Sequence, residues 1–331
     1  MRLRKLSENL VLLLVALFLA FGAAGVQAAP MGKKVVADKK VVVLAVFGTS
    51  HENGLSGILN IQAQVQKDLP GIPVRLAFTS NIIRRIWQER RQDPGYGPKH
   101  PEVPGEILNV KGPLATIADL QDQGYGYIIV QPTYISSGEE FADLDAYVQG
   151  LNSIKTVKER NMPFKRILLG RPALGTYGLE HEYRKDIEQV AAIVAPDVEA
   201  ARKEGRALVY FAHGNEHYST GVYMEFEQAM RKRYPGVRIY VTMVEGFPGN
   251  DRLFAELAAD KTKKVLLKVF MTVAGEHAQN DMAGPEPDSL KSLLEARHID
   301  VAVSPAGMGE SDGFAAIFAQ HIKDAMADAG M

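Results

Sequence analysis

The sequence predicts an α/β fold built from two similar Rossmann-like halves, each a four-stranded parallel sheet flanked by helices. Three observations support this. Apolar runs of strand length alternate with segments of helical spacing from residue 40 to the end of the chain. Those runs are apolar almost throughout rather than every second residue, the mark of strands covered on both faces. The second half also repeats the first: VVVLAVFGTSH (41–51) parallels ALVYFAHGNEH (207–217), and YIIVQPTYISSGEE (127–140) parallels VLLKVFMTVAGEH (265–277).

The elements follow in order. Residues 40–48 form a β-branched run and the first strand, and 54–69 a helix ended by Pro70-Gly71. Strands are expected at 74–78, 127–134 and 166–171, with helices at 81–92, 108–123, 139–158 and from 182 to about 203. Residues 93–105 hold four prolines and three glycines and read as a loop. The second series has strands at 207–212, 237–244, 264–272 and 299–303, with helices near 217–234, 250–260, 287–297 and 313–328. Right-handed crossovers follow by default. The division is 40–175 for the N-terminal half and 176–331 for the C-terminal half.

The first residues belong to neither half. Arg2, Arg4 and Lys5 precede an uncharged apolar stretch at 10–24, and Val26-Gln27-Ala28 places small residues at −3 and −1 of a cleavage site. Residues 1–28 therefore read as a secretory signal peptide, 29–39 as a flexible arm, and the mature protein as periplasmic with no stable membrane anchor. The 331 residues carry a formal net charge of −1, which gives nucleic-acid binding no support. There is no cysteine, so disulfides, thiolate metal sites and thiol catalysis are excluded.

His213, Glu245 and His277 stand 32 positions apart, each closing an apolar run. One βα unit takes roughly 30 residues, so the spacing puts them at equivalent places in successive units. The carboxyl ends of parallel strands form the ligand crevice of such sheets. Two imidazoles and a carboxylate there suit a divalent metal or a proton transfer. The first half has Phe47 and Glu140 where the second has its histidines, so the chemistry is expected in the C-terminal half. Glu245 has a plain structural alternative, the capping of backbone amides.

Other candidates are weaker. Phe47-Gly48-Thr49-Ser50 resembles an anion-binding turn, without the spacing of a P-loop. Ser136-Ser137-Gly138 supplies hydroxyls and amides near the same crevice, and Arg171 at a strand end is suited to a substrate carboxylate. Phe47, Thr49, Ser137 and Arg171 are the substrate-binding candidates. Arg84, Arg85, Arg90 and Arg91 crowd one helix and read as a solvated face. His217, His51 and Glu276 are ambiguous, and His181, His298 and His321 have no supporting constellation. His100, in the Pro/Gly loop, is a candidate for a haem or inter-subunit metal ligand.

With these residues in view, the chain resembles the anaerobic (class II) sirohydrochlorin cobalt chelatases. The likeness is carried by Val46-Phe47-Gly48-Thr49-Ser50, His213-Gly214, Val244-Glu245-Gly246-Phe247-Pro248 and Gly275-Glu276-His277-Ala278-Gln279-Asn280-Asp281-Met282, and spans 40–331. It implies two halves around a tetrapyrrole cleft, with His213 and His277 as catalytic and metal-handling residues and Glu245 beside them. It also implies insertion of Co2+, with Fe2+ as a second candidate metal, into sirohydrochlorin, a polycarboxylate whose charge calls for basic and amide donors around the cleft. The export signal departs from that family's usual setting. It keeps open a non-catalytic exported metal- or haem-binding protein of two lobes, and a metal-dependent hydrolase as a lesser rival. A homo-oligomer is a further candidate partner.

Overall fold

The computed structural model describes residues 37–216 and 220–331. The segment expected to be a signal peptide, most of the expected arm and His217 lie outside the described residues. The body comprises 37–156 and 162–331, and 157–161 is a short separate segment with one 3-10 turn, Glu159–Asn161. None of the described helices is long and apolar enough to cross a membrane.

The first sheet contains β1 (Lys40–Val46), β2 (Val74–Phe78), β3 (Tyr127–Pro132) and β4 (Arg166–Leu169) in the order β2-β1-β3-β4. The second contains β5 (Ala207–Gly214), β6 (Ile239–Glu245), β7 (Lys264–Phe270) and β8 (Asp300–Ser304) in the equivalent order β6-β5-β7-β8. All pairings are parallel. The doubled pattern expected from the internal repeat is therefore present in the topology.

The helices of the first half are α1 (Leu55–Asp68), α2 (Asn81–Gln92), α3 (Tyr96–Lys99), α4 (Gly105–Leu108), α5 (Pro113–Asp122) and α6 (Glu139–Asn152). Those that follow are α7 (Tyr183–Ile193), α8 (Ala195–Lys203), α9 (Thr220–Arg233), α10 (Asn250–Ala259), α11 (Leu290–Glu295) and α12 (Asp312–Asp328). Departures from expectation sit at breakers. The helix expected over 182–203 splits at Val194, because Pro196 fits only the first turn of a new helix. That over 108–123 starts at Pro113 for the same reason. Ser289 delays α11 by capping it through Ser292 N–H.

Alternation along the strands assigns three apolar layers. Val42, Leu44 and Val46 of β1 and Leu208, Tyr210 and Ala212 of β5 share one continuous core with α1, α9 and α12. Val41, Val43 and Ala45 face a separate layer with α5 and α6, and Val209 and Phe211 face another with α10 and α11. Both faces of each sheet are thus covered, which explains the unbroken apolar runs. Helix α12 crosses back to pack on α1 and β3, and Lys323 reaches Asp68 at 3.3 Å.

Candidate active site

In the order 2-1-3-4, chain direction away from the centre switches between β1 and β3, and in the second sheet between β5 and β7. Such switch points open a crevice beyond the carboxyl ends of the strands. A cavity of about 430 Å3 lies there, lined by segments leaving β1, β3, β5 and β7 together with the start of α2. Its size is that of a small-molecule site.

His213 is delivered by the last turn of β5, and His277 by the residue before the π-helical turn Ala278–Met282. Strand β7 ends at Phe270, so His277 does not close a strand as expected. After β7 the chain is pinned elsewhere: Thr272 Oγ1 donates to Thr133 O, and Met271 and Thr272 carbonyls accept from Met308 and Gly309. The intervening loop carries His277 back over the cavity. The two imidazole rings stand 4.9 Å apart at 82°, both on the cavity wall.

Their hydrogen bonds set their tautomers. His213 Nδ1 faces the Gly214 carbonyl at 3.2 Å, and a carbonyl only accepts, so Nδ1 carries the proton. His277 Nδ1 faces Asp281 Oδ2 at 2.5 Å, and the carboxylate likewise accepts. In both rings Nε2 keeps its lone pair, available to a metal or a proton.

Glu245 is placed differently. It ends β6, the edge strand, in register with Gly214, and it is exposed and outside the cavity lining. Gly214, with φ +81°, has to be glycine, since a Cβ there would sit 1.9 Å from Glu245 O. Among the described residues, His213, Glu245 and His277 do not offer three ligand atoms within 4.8 Å of one another. The structure brings the histidine pair together and leaves the carboxylate one strand away.

The opposing wall is the turn after β1. Gly48, at φ +100°, packs against the Phe78 ring, where a Cβ would meet Cδ2 at 2.6 Å. Thr49 Oγ1 accepts from His51 N–H, and Thr49 O accepts from Trp87 Nε1 at 2.8 Å. Arg90 donates to Ser50 O at 2.6 Å, and Arg84 to the Phe78 and Thr79 carbonyls. The arginine helix is therefore a brace for this turn as well as a solvated face. Phe47 and Ile82 present exposed apolar surface, with 47% and 70% exposure, and both line the cavity.

Of the other expected residues, Thr49 lines the cavity, and Ser137 lies between the lining residues Ser136 and Gly138. Arg171 is a correction. Its guanidinium is bidentate to Asp186 at 2.8 and 3.0 Å and reaches Asp324 at 2.8 Å, away from the lining, so it is committed to the fold's own carboxylates and does not face the cavity. The expected ring of basic groups is a second correction: among the described residues no Lys or Arg lines the cavity, which carries Glu140, Glu276, His51, His213 and His277 instead. An unpaired cation held in an apolar wall costs more than one left in water. His100 faces Glu52 and Glu102, stacked on Tyr96 at 4.2 Å.

Two contributors were not singled out from sequence. Asp281 is one turn on from His277, and its i+4 spacing inside a helical start was the available signal. Tyr223 hydrogen-bonds Ser136 at 3.2 Å at the cavity wall, and burial pushes its phenol up to about 12, so it stays protonated. Tyr134 is likewise pushed up by burial.

A model of the family described as Cobalt chelatase (CbiK) matches residues 40–327. The chain belongs to this family. Among curated proteins it is 29% identical over 288 residues to the sirohydrochlorin cobaltochelatase CbiKC of Nitratidesulfovibrio vulgaris, covering 87% of this chain and 91% of the relative. It is 27% identical over 290 residues to the sirohydrochlorin cobaltochelatase of Salmonella typhimurium, covering 87% and 97%. Among solved structures it resembles SirB from Bacillus subtilis with Fe3+, with a TM-score of 0.56 at 11% identity over 88% of this chain and 98% of that one. The cobalt complex of the sirohydrochlorin chelatase SirB from B. subtilis subspecies spizizenii gives a TM-score of 0.53 at 11% identity over the same shares. The last two place the fold: paired parallel sheets of the class II chelatase type.

Proposed function

We propose that the protein is a sirohydrochlorin cobaltochelatase, in which Co2+ enters the macrocycle as substrate and His213 and His277 accept the two pyrrole protons. The observation that carries this reading is the histidine pair at the switch-point cavity, each ring with its Nε2 lone pair free. Metal insertion releases two N–H protons, and two neutral imidazoles side by side supply two acceptors. The same lone pairs hold a first-row divalent ion before transfer. Asp281 holds His277 in the reactive tautomer and stabilises the imidazolium once it forms, as a carboxylate behind a histidine does elsewhere.

The remaining groups fit a tetrapyrrole. Phe47 and Ile82 offer apolar surface to the ring faces, and the Ser136–Tyr223 pair and Asn215 supply neutral polar atoms. With no Lys or Arg on the lining among the described residues, the substrate's carboxylates point out to solvent rather than into the wall in this reading. Fe2+ is the second metal of this reading, and haem has no place in it. The basic and apolar pattern of residues 1–28 supports a reading in which the reaction takes place in the periplasm.

The test is a metallation assay with sirohydrochlorin and Co2+, Fe2+, Ni2+ or Zn2+, followed by the tetrapyrrole absorption spectrum. Multiple turnovers with Co2+ are expected. Uptake that stops at one equivalent per chain would make the protein a binder and not an enzyme.

A further inference from the structure

Away from the histidine cleft, Glu52, His100 and Glu102 each offer a ligand atom, all within 4.8 Å of one another. His100 Nδ1 lies 3.0 Å from Glu52 Oε2 and 3.4 Å from Glu102 Oε1. The donors arrive from separate places. Glu52 opens the 3-10 turn Glu52–Gly54 beyond β1, His100 caps α3, and Glu102 stands in the loop that follows.

The set is braced from behind. Tyr96 Oη donates to Glu52 Oε1 at 2.6 Å, which leaves Oε2 turned to His100. The Tyr96 ring lies 4.2 Å from the His100 ring at 21° and fixes its plane. Arg90 sits over Trp87 at 4.5 Å and over Tyr96 at 5.5 Å and donates to Ser50 O, so its charge favours the Glu52 carboxylate without pairing with it directly. Among the described residues no Lys or Arg comes within ion-pair distance of Glu52 or Glu102. Two converging carboxylates repel unless a cation joins them, and one imidazole leaves the trio short of positive charge. Ordered outer partners of this kind are what hold metal ligands in register.

Position supplies an independent pointer. Glu52 follows directly on Ser50 and His51, and both line the cleft. An ion held by Glu52 is therefore one residue along the chain from the chamber that contains His213 and His277. The donor set, one imidazole nitrogen with two carboxylates, suits a first-row divalent cation better than Mg2+ or Ca2+, which favour all-oxygen shells.

We propose that Glu52, His100 and Glu102 form a second divalent-cation site beside the cleft, one that collects Co2+ for the histidine pair. The collecting role rests on the chelatase reading, whereas the binding itself does not.

The experiment is equilibrium dialysis of the metal-free protein against Co2+ alone, with the visible Co2+ spectrum as a second readout. Wild type is expected to bind two equivalents, and His100→Gln and Glu102→Gln one each. The Glu102 side chain is 58% exposed, so its loss leaves the core untouched. The His213→Ala/His277→Ala protein should keep one equivalent, which the further change His100→Gln removes. A second equivalent that survives both His100→Gln and Glu102→Gln, or a wild-type stoichiometry of one that these changes leave intact, would overturn the site. In turnover, His100→Gln should raise KM for Co2+ about tenfold, on the scale of losing an ordering partner of a metal site, and act little on kcat. An unchanged KM would overturn the collecting role. Absence of turnover in wild type would remove the chelatase reading and leave the dialysis result to stand or fall by itself.

Discussion

The rings of His213 and His277 meet edge to face, 4.9 Å between centroids and 82° between planes, although 64 positions of chain separate them. Among the described residues neither ring uses Nε2 in a hydrogen bond, and each donates through Nδ1 to a fixed acceptor. If they act as one unit, His213→Ala and His277→Ala should each reduce metal insertion by about 10²- to 10⁴-fold, the usual reach of a positioned base. The double variant should be scarcely worse than either single one. Both sit in a crevice, so stability should change by about 1 kcal/mol or less. Single-turnover rates and thermal melts check this. Losses that multiply in the double variant would mean that the two rings serve separate steps.

Asp281 acts through His277. Asp281→Asn keeps the shape but swaps an acceptor-only group for an amide, which weakens both the tautomer preference and the stabilisation of imidazolium. The expected loss in kcat is about 10- to 100-fold, with the melt unchanged because both side chains are well exposed at 43% and 49%. Asp281→Glu should recover part of the rate. A rate equal to wild type in Asp281→Asn would leave the pair without a role in turnover.

The legible part of this molecule was what period and spacing encode. The β2 and α2 boundaries agree with expectation to the residue, because Val74–Phe78 is framed by Pro73 and by the Ser80 cap of α2. His213 was legible because it ends a strand whose run is unbroken. The location of Glu245 in the edge strand was not, since strand order is a long-range property that spacing does not carry. The loop that returns His277 to the cavity was hidden for the same kind of reason: its shape depends on Thr272 meeting Thr133 and on Met308 and Gly309 arriving from α12's side of the fold. Arg171 misled because a strand-end arginine reads alike whether its partner is a ligand or the distant Asp186 and Asp324.

Those two aspartates give a pH dependence. Burial alone would raise Asp186, but His321, with Nε2 3.3 Å from Oδ1, and the hydrogen bonds and charge of Arg171 outweigh it and hold the carboxyl below its ordinary range. Asp324 is lowered in the same way by Gln320 and Arg171 against burial. A folded-state value below the unfolded one means stabilisation that is complete above the unfolded value, about 3.9, and lost as pH falls through the lowered value. Asp186→Asn should therefore cost about 3–5 kcal/mol at neutral pH, as breaking a buried pair does. Its deficit against wild type should narrow below about pH 4. Denaturant melts over a pH series measure this, and a deficit constant into strong acid would contradict it.

Export has its own test. The basic, apolar and Val26-Gln27-Ala28 pattern predicts a mature N-terminus near Ala29. Mass spectrometry of the protein from its native cells should find it, and a chain retaining Met1 would refute cleavage.

The cavity wall predicts how the substrate is held. Phe47 and Ile82 are large apolar side chains left 47% and 70% exposed, and surface of that kind marks a binding face when it gathers in a cleft. Among the described residues no Lys or Arg stands beside them on the lining, so recognition is expected to rest on ring faces and not on ion pairs. KM for the tetrapyrrole should accordingly change little between low and high ionic strength, since salt screens charge pairs and leaves apolar contact in place. Ile82→Asp removes apolar contact and sets a carboxylate against a polycarboxylate. Like charges about 4 Å apart near a protein surface cost ~1–4 kcal/mol, so KM should rise at least about fivefold on the scale where 1.4 kcal/mol is tenfold. The exposed side chain contributes little to folding, so the melt should stay within about 0.5 kcal/mol of wild type. Ile82→Lys distinguishes the two ways of binding. If ring faces dominate, it loses affinity as well, whereas a KM that falls well below wild type and becomes salt-sensitive would show that the substrate's carboxylates lie against this wall.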